Sequence, residues 1–290
     1  MKIAAITMVY NEARAIRRWV DYYSRQVGAE NCYIVDHGSD DGSTTGLGAI
    51  NVVRIPRSPQ DNQKRADSIS HFANSLLCWY DYVLYVDCDE FLVPDPRKYQ
   101  GLWHYCETAR PDYVTSIGIN VIHAIETEAE LAPDKPVLSQ RAFGMFVSAM
   151  AKPNLTSVPV LWSPGFHFRD KPAVFGDLFL IHLKYADISD GLARLRITRE
   201  MAWQSDTAGA HQRVVDEEWL KRVKAWNRMP IAESDPWSIG SGVLQGYTEK
   251  IVGNQFFAPH RGIYFVTDDI RAGFFGKELL RFPAAFKDIL

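Results

Sequence analysis

Residues 82–92, Tyr82-Val-Leu-Tyr-Val-Asp-Cys-Asp-Glu-Phe-Leu92, decide how the chain is read. An apolar run rich in aromatic and β-branched residues ends abruptly at three acids, Asp87, Asp89 and Glu90. Such a run reads as a buried strand that delivers carboxylates to its C-terminal edge. In open α/β sheets that edge is where ligands bind. Carboxylates two residues apart suit a hard divalent cation, which keeps coordination positions open for phosphate oxygens. The stretch points to a metal-dependent site for a phosphorylated ligand, against the plainer alternative of a solvated acidic turn.

Outward from that stretch, the first half alternates in period. Residues 3–9 are a continuous apolar run, and 12–27 carry Ile16, Trp19, Val20, Tyr23 and Val27 at helical spacing, closed by Gly28. Residues 31–36 and 52–55 read as strands. Residues 61–79 read as a helix with Ile69, Phe72, Ala73, Leu76 and Leu77 on one face, and 82–87 as the fourth strand. Short strands separated by helices imply right-handed βαβ units and a mostly parallel, Rossmann-like sheet. Beyond Pro96 the pattern changes. Residues 113–122 read as a strand, and 137–185 hold strand-like pieces broken by Pro153, Pro159, Pro164 and Pro172, which indicates mixed or antiparallel structure. Residues 188–203 and 216–226 read as helices, and the stretch after 230 as irregular packing or a lid facing an acceptor.

At 290 residues the chain can bury a full core as one large domain or two small ones. Hydrophobic residues at 47% with 23% charged residues fit a folded soluble protein. A formal charge of −3 offers no basic footprint for nucleic acid. Cys32, Cys78, Cys88 and Cys106 lack metal-binding spacing and read as reduced thiols of a cytosolic protein. Met1 leads straight into a strand-like run, so no signal peptide is expected, and no apolar stretch reaches the roughly 18 residues of a membrane span.

Two further strand tips carry polar groups. Val9-Tyr-Asn-Glu12 stands at a strand-to-helix turn next to free backbone N–H groups. Taken alone, it is explained more simply by helix capping by Asn11 with an acidic first turn. Val35-Asp-His-Gly-Ser-Asp-Asp-Gly-Ser-Thr44 puts Asp36 at a strand end before a tight turn. Turn chemistry accounts for the glycines and serines but not for the acid. Neither a GxGxxG fingerprint nor a P-loop is present. Glu12, Asp36 and the pair Asp87/Asp89 share one edge of a parallel sheet, so they converge on one cleft.

At these residues the chain resembles a known family. Tyr10-Asn-Glu12, Asp36-His-Gly-Ser-Asp-Asp-Gly-Ser43 and Asp87-Cys-Asp-Glu-Phe91 look like the three signatures of glycosyltransferase family 2 enzymes with the GT-A fold. Asp-x-Asp-Glu-Phe with Trp19-x-x-x-Tyr23 is closer to the family-2-like branch that also resembles family 92. The resemblance covers roughly residues 1–125 well and the rest loosely. It implies a nucleoside-diphosphate sugar donor, a UDP- or GDP-sugar, held by Tyr10, Asn11, Glu12 and Asp36, with Glu12 near the ribose and Asp36 on the base. It further implies Asp87 near ribose or metal, and Asp89 as ligand of Mn²⁺ or Mg²⁺ bridging the diphosphate. His37 stands where many relatives have a second Asp.

Breaking a sugar–phosphate bond leaves negative charge on the diphosphate, which a divalent ion and nearby cations stabilise. Lys64 and Arg65, on the helix before the acidic strand end, are candidate cations, with a solvated helix face as the alternative. His182, between Ile181 and Leu183, is the chosen third metal ligand, with His167 as the alternative. An inverting transfer needs a carboxylate base, for which Asp170 and Glu90 are the candidates.

The expected fold class is α/β, a GT-A Rossmann-like mixed sheet flanked by helices, with a helical C-terminal extension. Residues 1–186 form the expected catalytic domain, divided into a donor half (1–125) and an acceptor-side half (126–186), and 187–290 form the extension. The expected function is metal-dependent transfer of a hexose to a hydroxyl of a glycan or lipid-linked glycan, with inversion, in bacterial polysaccharide synthesis. The expected location is the cytoplasm. The amphipathic patches 270–275 and 279–282 leave open a peripheral contact with the membrane's inner face. The competing expectations are a nucleotidyltransferase and a non-catalytic GT-A glycan-binding module.

Overall fold

A computed structural model describes residues 1–233, 237–240, 242–271 and 273–290. The apolar runs of the first half become Ile3–Val9 (β1), Cys32–Asp36 (β2), Asn51–Arg54 (β3) and Tyr82–Tyr85 (β4), separated by helices Ile16–Val27 (α1) and Asn62–Leu76 (α2). β1 pairs in parallel with β2 and β4, and β3 extends the sheet in parallel beyond β2. α1 buries Ile16, Trp19, Tyr22 and Tyr23 against one face, and α2 buries Ala66, Ile69, Ala73 and Leu76 against the other. Every residue of β4 is buried, as a central strand covered on both faces requires.

The second half adds Glu90–Pro94 (β5), Leu102–Ala109 (α3), Tyr113–Ile122 (β6), Phe143–Phe146 (β7), Leu155–Thr156 (β8) and Phe175–His182 (β9). The chain continues through Ile188–Glu200 (α4), Asp216–Trp226 (α5), Gly242–Gly253 (α6), Gln255–Ala258 (β10), Ile263–Val266 (β11), Asp268–Arg271 (α7) and Leu280–Arg281 (β12). The main sheet runs β12-β7-β6-β8-β4-β1-β2-β3, with β9 on β6 and β5 on β9. The parallel half is joined to the mixed half by the short antiparallel β8, which touches both β4 and β6. This mixed sheet flanked by helices is the α/β layout that the sequence implies.

Four boundaries differ from the pattern, each for a local reason. The strand expected over 82–87 stops at Tyr85. After a turn closed by Glu90 N–H on Asp87 O at 3.0 Å, a separate strand begins, because Glu90–Pro94 pairs with β9 instead of the β4 ladder. Two α1 tyrosines serve the other edge of β5: Tyr22 hydroxyl donates to Leu92 O (2.7 Å), and Leu92 N–H donates to Tyr23 hydroxyl (2.9 Å). The first helix starts at Ile16, not at residue 12, because Asn11 takes left-handed backbone angles (φ 53°) and the chain turns before it coils. The second helix spans Asn62–Leu76 with Asp61 as its cap, accepting from Gln63 and Lys64 N–H. The stretch after 230 is more regular than expected: it forms α6, the β10–β11 hairpin and β12 on the edge of β7. Trp237 and Phe286 pack on Phe179, and Phe282 on Trp237, in the common core.

Of the two amphipathic patches, Leu279, Leu280 and Phe282 are buried, so the second is core. The first includes Ala272, which lies outside the described residues. Its Ile270 is buried and its Phe275 exposed. Among the described residues no helix is long and apolar enough to cross a membrane.

Candidate active site

Strand register assembles the centre of the site. β9 ends on His182, which stands opposite Glu90 of β5 and Asn120 of β6. His182 Nδ1 lies 2.7 Å from Asn120 Oδ1, so with that oxygen accepting, Nδ1 carries a hydrogen and Nε2 is the nitrogen turned toward Asp89. Nε2 faces Asp89 Oδ2 at 3.3 Å, and Leu183 N–H donates to Asp89 O at 2.9 Å. Asp89, Glu90 and His182 each offer a ligand atom within 4.8 Å of the others. Burial alone would raise the Asp89 pKa, but the charge and hydrogen bond of His182 hold it below the ordinary carboxylate value.

Behind this pair lies a buried ion network. Asp87 accepts from Arg65 on α2, from the Tyr85 hydroxyl at 3.0 Å and from Lys152 Nζ at 3.4 Å. Burial opposes its ionisation, and Arg65 with Lys152 outweigh burial, so the carboxyl is held well below its usual range. Lys152 also donates to Glu90, whose side chain is only 2% exposed. Burial works against charge on Lys152, and the Glu90 and Asp87 carboxylates overcome it, raising its pKa. Neighbouring polar groups hold the segment in place: Asn154 Nδ2 donates to Tyr85 O at 2.7 Å, and Ser116 donates to Lys152 O at 3.0 Å.

The β1 tip carries a second charged pair. Glu12 accepts from Arg194 of α4 at 2.6 Å, and Arg194 also donates to Tyr10 O at 3.2 Å. Burial raises the Glu12 pKa to about 7, with Asp89 and Asp87 adding to the rise and Arg194 opposing it. Asn11 ties the β1 and β2 tips together: its Nδ2 donates to Asp40 Oδ1 at 2.8 Å, and its Oδ1 accepts from Asp40 N–H at 3.0 Å. The Tyr10 ring is covered by the guanidinium of Arg57.

The sequence-read residues divide into three groups. Asp87, Asp89, Glu90, His182 and Glu12 meet around one cluster, linked by the contacts above and by the electrostatic effects of Asp89 and Asp87 on Glu12. Tyr10, Asn11 and Asp36 lie along the neighbouring strand tips. Asp36, read as a base contact, is 1% exposed and already committed: it accepts from Ser39 N–H (2.8 Å), the Thr44 hydroxyl (3.0 Å) and Arg54 (2.6 Å). Both of its oxygens are thus engaged in shaping the turn after β2.

Three expectations do not reach the cluster. Lys64 has a side chain 85% exposed, 4.0 Å from Asp61, because the helix phase that turns Arg65 inward sends its neighbour to solvent. Asp170 accepts from Leu161 N–H (3.3 Å) and Arg169 Nε (3.2 Å) within the loop 161–170, with no bond to the acids. Glu90, read as a base, does reach the cluster, but there it is enclosed as the partner of Lys152. His167, the alternative ligand, is outside the set of mutually close ligand atoms. Its Nδ1 donates to Ala149 O (2.7 Å), and burial, aided by Lys152, lowers its pKa to about 4.

Sequence reasoning missed Asn120, Lys152, Arg194 and Arg57. Two left a signal: Asn120 is a lone polar residue in Ile-Gly-Ile-Asn-Val-Ile, and Lys152 a lone charge in Met-Ala-Lys-Pro. Neither belongs in an apolar run without a partner.

No described protein family matches the chain, and no curated protein does. Solved structures match in part. Glucosyl-3-phosphoglycerate synthase from Mycobacterium tuberculosis, crystallised with Mn²⁺, UDP and glucosyl-3-phosphoglycerate, is 18% identical over 31% of this chain and 34% of that one, at a TM-score of 0.24. S. aureus TarS is 12% identical over 79% of this chain and 44% of that one, at 0.34. A cytidylyltransferase from Leptospira borgpetersenii is 8% identical over 45% of this chain and 57% of that one, at 0.24. The chain thus matches less than two thirds of the length of each of these structures.

Proposed function

We propose that the chain transfers a sugar from a nucleoside-diphosphate sugar to a hydroxyl acceptor with the help of a divalent metal ion. The observation that carries this reading is the Asp89–His182 pair at the sheet's ligand edge. Asn120 occupies the outer imidazole nitrogen, so Nε2 and a low-pKa carboxylate face each other, a donor set that suits Mn²⁺ or Mg²⁺. Asp89 and His182 would hold the ion, and Glu90, committed to Lys152, would not. When bound, the ion supplies Lewis-acid stabilisation of the charge that develops on a leaving diphosphate.

The chain's own groups complete the setting. Lys152 and Arg65 keep Asp87 ionised and fixed beside the cleft. Arg194, already on Glu12 and the Tyr10 carbonyl, is a cation at the nucleoside side of the same edge. Glycan or lipid-linked glycan acceptors and inversion belong to the proposal through the family resemblance, and it assigns no base, because Glu90 pairs with Lys152 and Asp170 bonds within the loop 161–170.

Incubation with UDP- and GDP-sugars, with Mn²⁺ and with chelator, tests the proposal. Metal-dependent release of a nucleoside diphosphate, lost in Asp89→Asn, is expected. Release of pyrophosphate from a sugar phosphate and a nucleoside triphosphate would identify nucleotidyl transfer instead. Nucleotide binding without turnover across donors and acceptors would favour a binding module.

A further inference from the structure

Arg57 stands outside the acidic cluster, beside the strand tips assigned to the donor's nucleoside. Its guanidinium carbon lies 3.7 Å from the centroid of the Tyr10 ring. Nη1 lies 3.0 Å from His37 Nδ1, and the other ring nitrogen, Nε2, lies 3.0 Å from the Ser58 hydroxyl and 3.2 Å from the Ser58 backbone nitrogen. The loop after β3 can lie this close to the turn after β2 because residue 38 is glycine: at φ 73°, a Cβ there would be 2.8 Å from Arg57 Cβ and 2.9 Å from its backbone nitrogen. Three elements therefore fix one side chain.

A guanidinium carries five N–H donors in a rigid fork. Nη1 is used on His37. The Nε–H and Nη2–H edge makes no hydrogen bond among the described residues, and Nη2 is buried without any partner. Buried donors in ordered positions are nearly always satisfied, so this edge points to an acceptor pair that a ligand brings.

The strand order says which part of the ligand arrives there. Asp87 and Asp89 follow β4, whereas the Arg57 guanidinium lies over Tyr10, after β1, and against His37, after β2, one and two strands away. At about 4.8 Å per strand, the separation is on the order of 5–10 Å. A diphosphate near Asp89 thus presents its base, not a phosphate, to Arg57. Guanine offers O6 and N7 as neighbouring acceptors, the pair that an arginine fork reads best. Adenine sets an amino donor beside N7, and uracil places an N–H between its carbonyls. Cytosine, with N3 beside O2, is the one competing pair.

We propose that Arg57, stacked on Tyr10 and oriented by His37, reads the donor base and selects guanine, so that the donor is a GDP-sugar. This rests on the reading of the cleft as a nucleoside-diphosphate-sugar site.

Calorimetry of the full chain with Mn²⁺ and GDP, UDP, CDP or ADP tests it. GDP should bind at least about tenfold more tightly than the others. Arg57→Gln, and Arg57→Lys with its charge but no fork, should bring GDP to the level of the others while binding stays Mn²⁺-dependent. The wild-type ranking needs no variant, so a folding defect cannot mask the result. A preference for UDP, CDP or ADP overturns the inference, as does a GDP preference that survives Arg57→Gln. Tighter binding of all four nucleotides to Arg57→Gln also overturns it, because the side chain would then merely cover Tyr10. If no nucleotide binds the wild type at all, the reading of the cleft fails and the inference with it.

Discussion

His182 Nε2 faces Asp89 Oδ2 at 3.3 Å while Asn120 Oδ1 holds the opposite ring nitrogen at 2.7 Å. Residues 62 positions apart in the chain thereby fix the orientation of one imidazole at the edge of the sheet. Outer partners of this kind tune metal ligands, and losing one costs about 10–100-fold in metal affinity. Asn120→Ala should weaken Mn²⁺ binding by that factor, and His182→Ala by more, in a direct metal titration. Unchanged affinity in both variants would remove His182 from the metal site.

Lys152 is buried with Glu90 and Asp87 as its counter-charges. Removing one member of a buried ion pair leaves an uncompensated charge and costs about 3–5 kcal/mol. Lys152→Met should lower stability by that amount in urea unfolding. Adding Glu90→Gln should recover much of it, because the stranded carboxylate is gone. A single variant as stable as the wild type would contradict the network described.

The Tyr23 hydroxyl accepts from Leu92 N–H at 2.9 Å and donates to Glu90 O at 3.2 Å, so one atom anchors the strand that follows the acidic turn. Tyr23→Phe leaves both backbone groups buried without that partner, at a cost of about 1–3 kcal/mol. Amide exchange should accelerate at Leu92 more than in β1. Equal protection at Leu92 in both proteins would mean that β5 is held by β9 alone.

Glu12 titrates at about 7 in the folded chain against an ordinary value of 4.5, chiefly because it is buried beside Asp89 and Asp87. Between those values the folded state keeps a proton that the unfolded chain has released, so stability falls as pH rises through the window. Glu12→Gln removes this component. In chelator, the stability of the wild type relative to the variant should decline from pH 4.5 to pH 7. A relative stability that rises over that range would contradict the burial argument.

Much of this was legible from residue pattern because its causes are local. The continuous apolar runs of β1, β2 and β4, and the helical spacing in α1 and α2, declare buried elements without reference to anything distant. β5 was hidden because Glu90-Phe-Leu-Val-Pro continues the apolar character of the run before it, and only its pairing with β9 separates the two strands. Lys64 and Arg65 are adjacent and alike in sequence, and the phase of α2 alone decides which one meets Asp87. Asp36 was read as a ligand contact because a strand-tip acid looks the same whether its oxygens are free or already taken by Arg54 and Thr44. Lys152, Asn120 and Arg194 come from strands, loops and helices far along the chain, where sheet register and packing, not spacing, bring them to the site.

The central claim is a cleft that binds a nucleoside diphosphate through a metal held by Asp89 and His182. Calorimetric titration of the wild type and Asp89→Asn with GDP and UDP, each with Mn²⁺ and with chelator, tests it most directly. The account predicts saturable binding to the wild type that needs Mn²⁺ and is lost in Asp89→Asn. Binding of equal strength in chelator, or undiminished in Asp89→Asn, would contradict it.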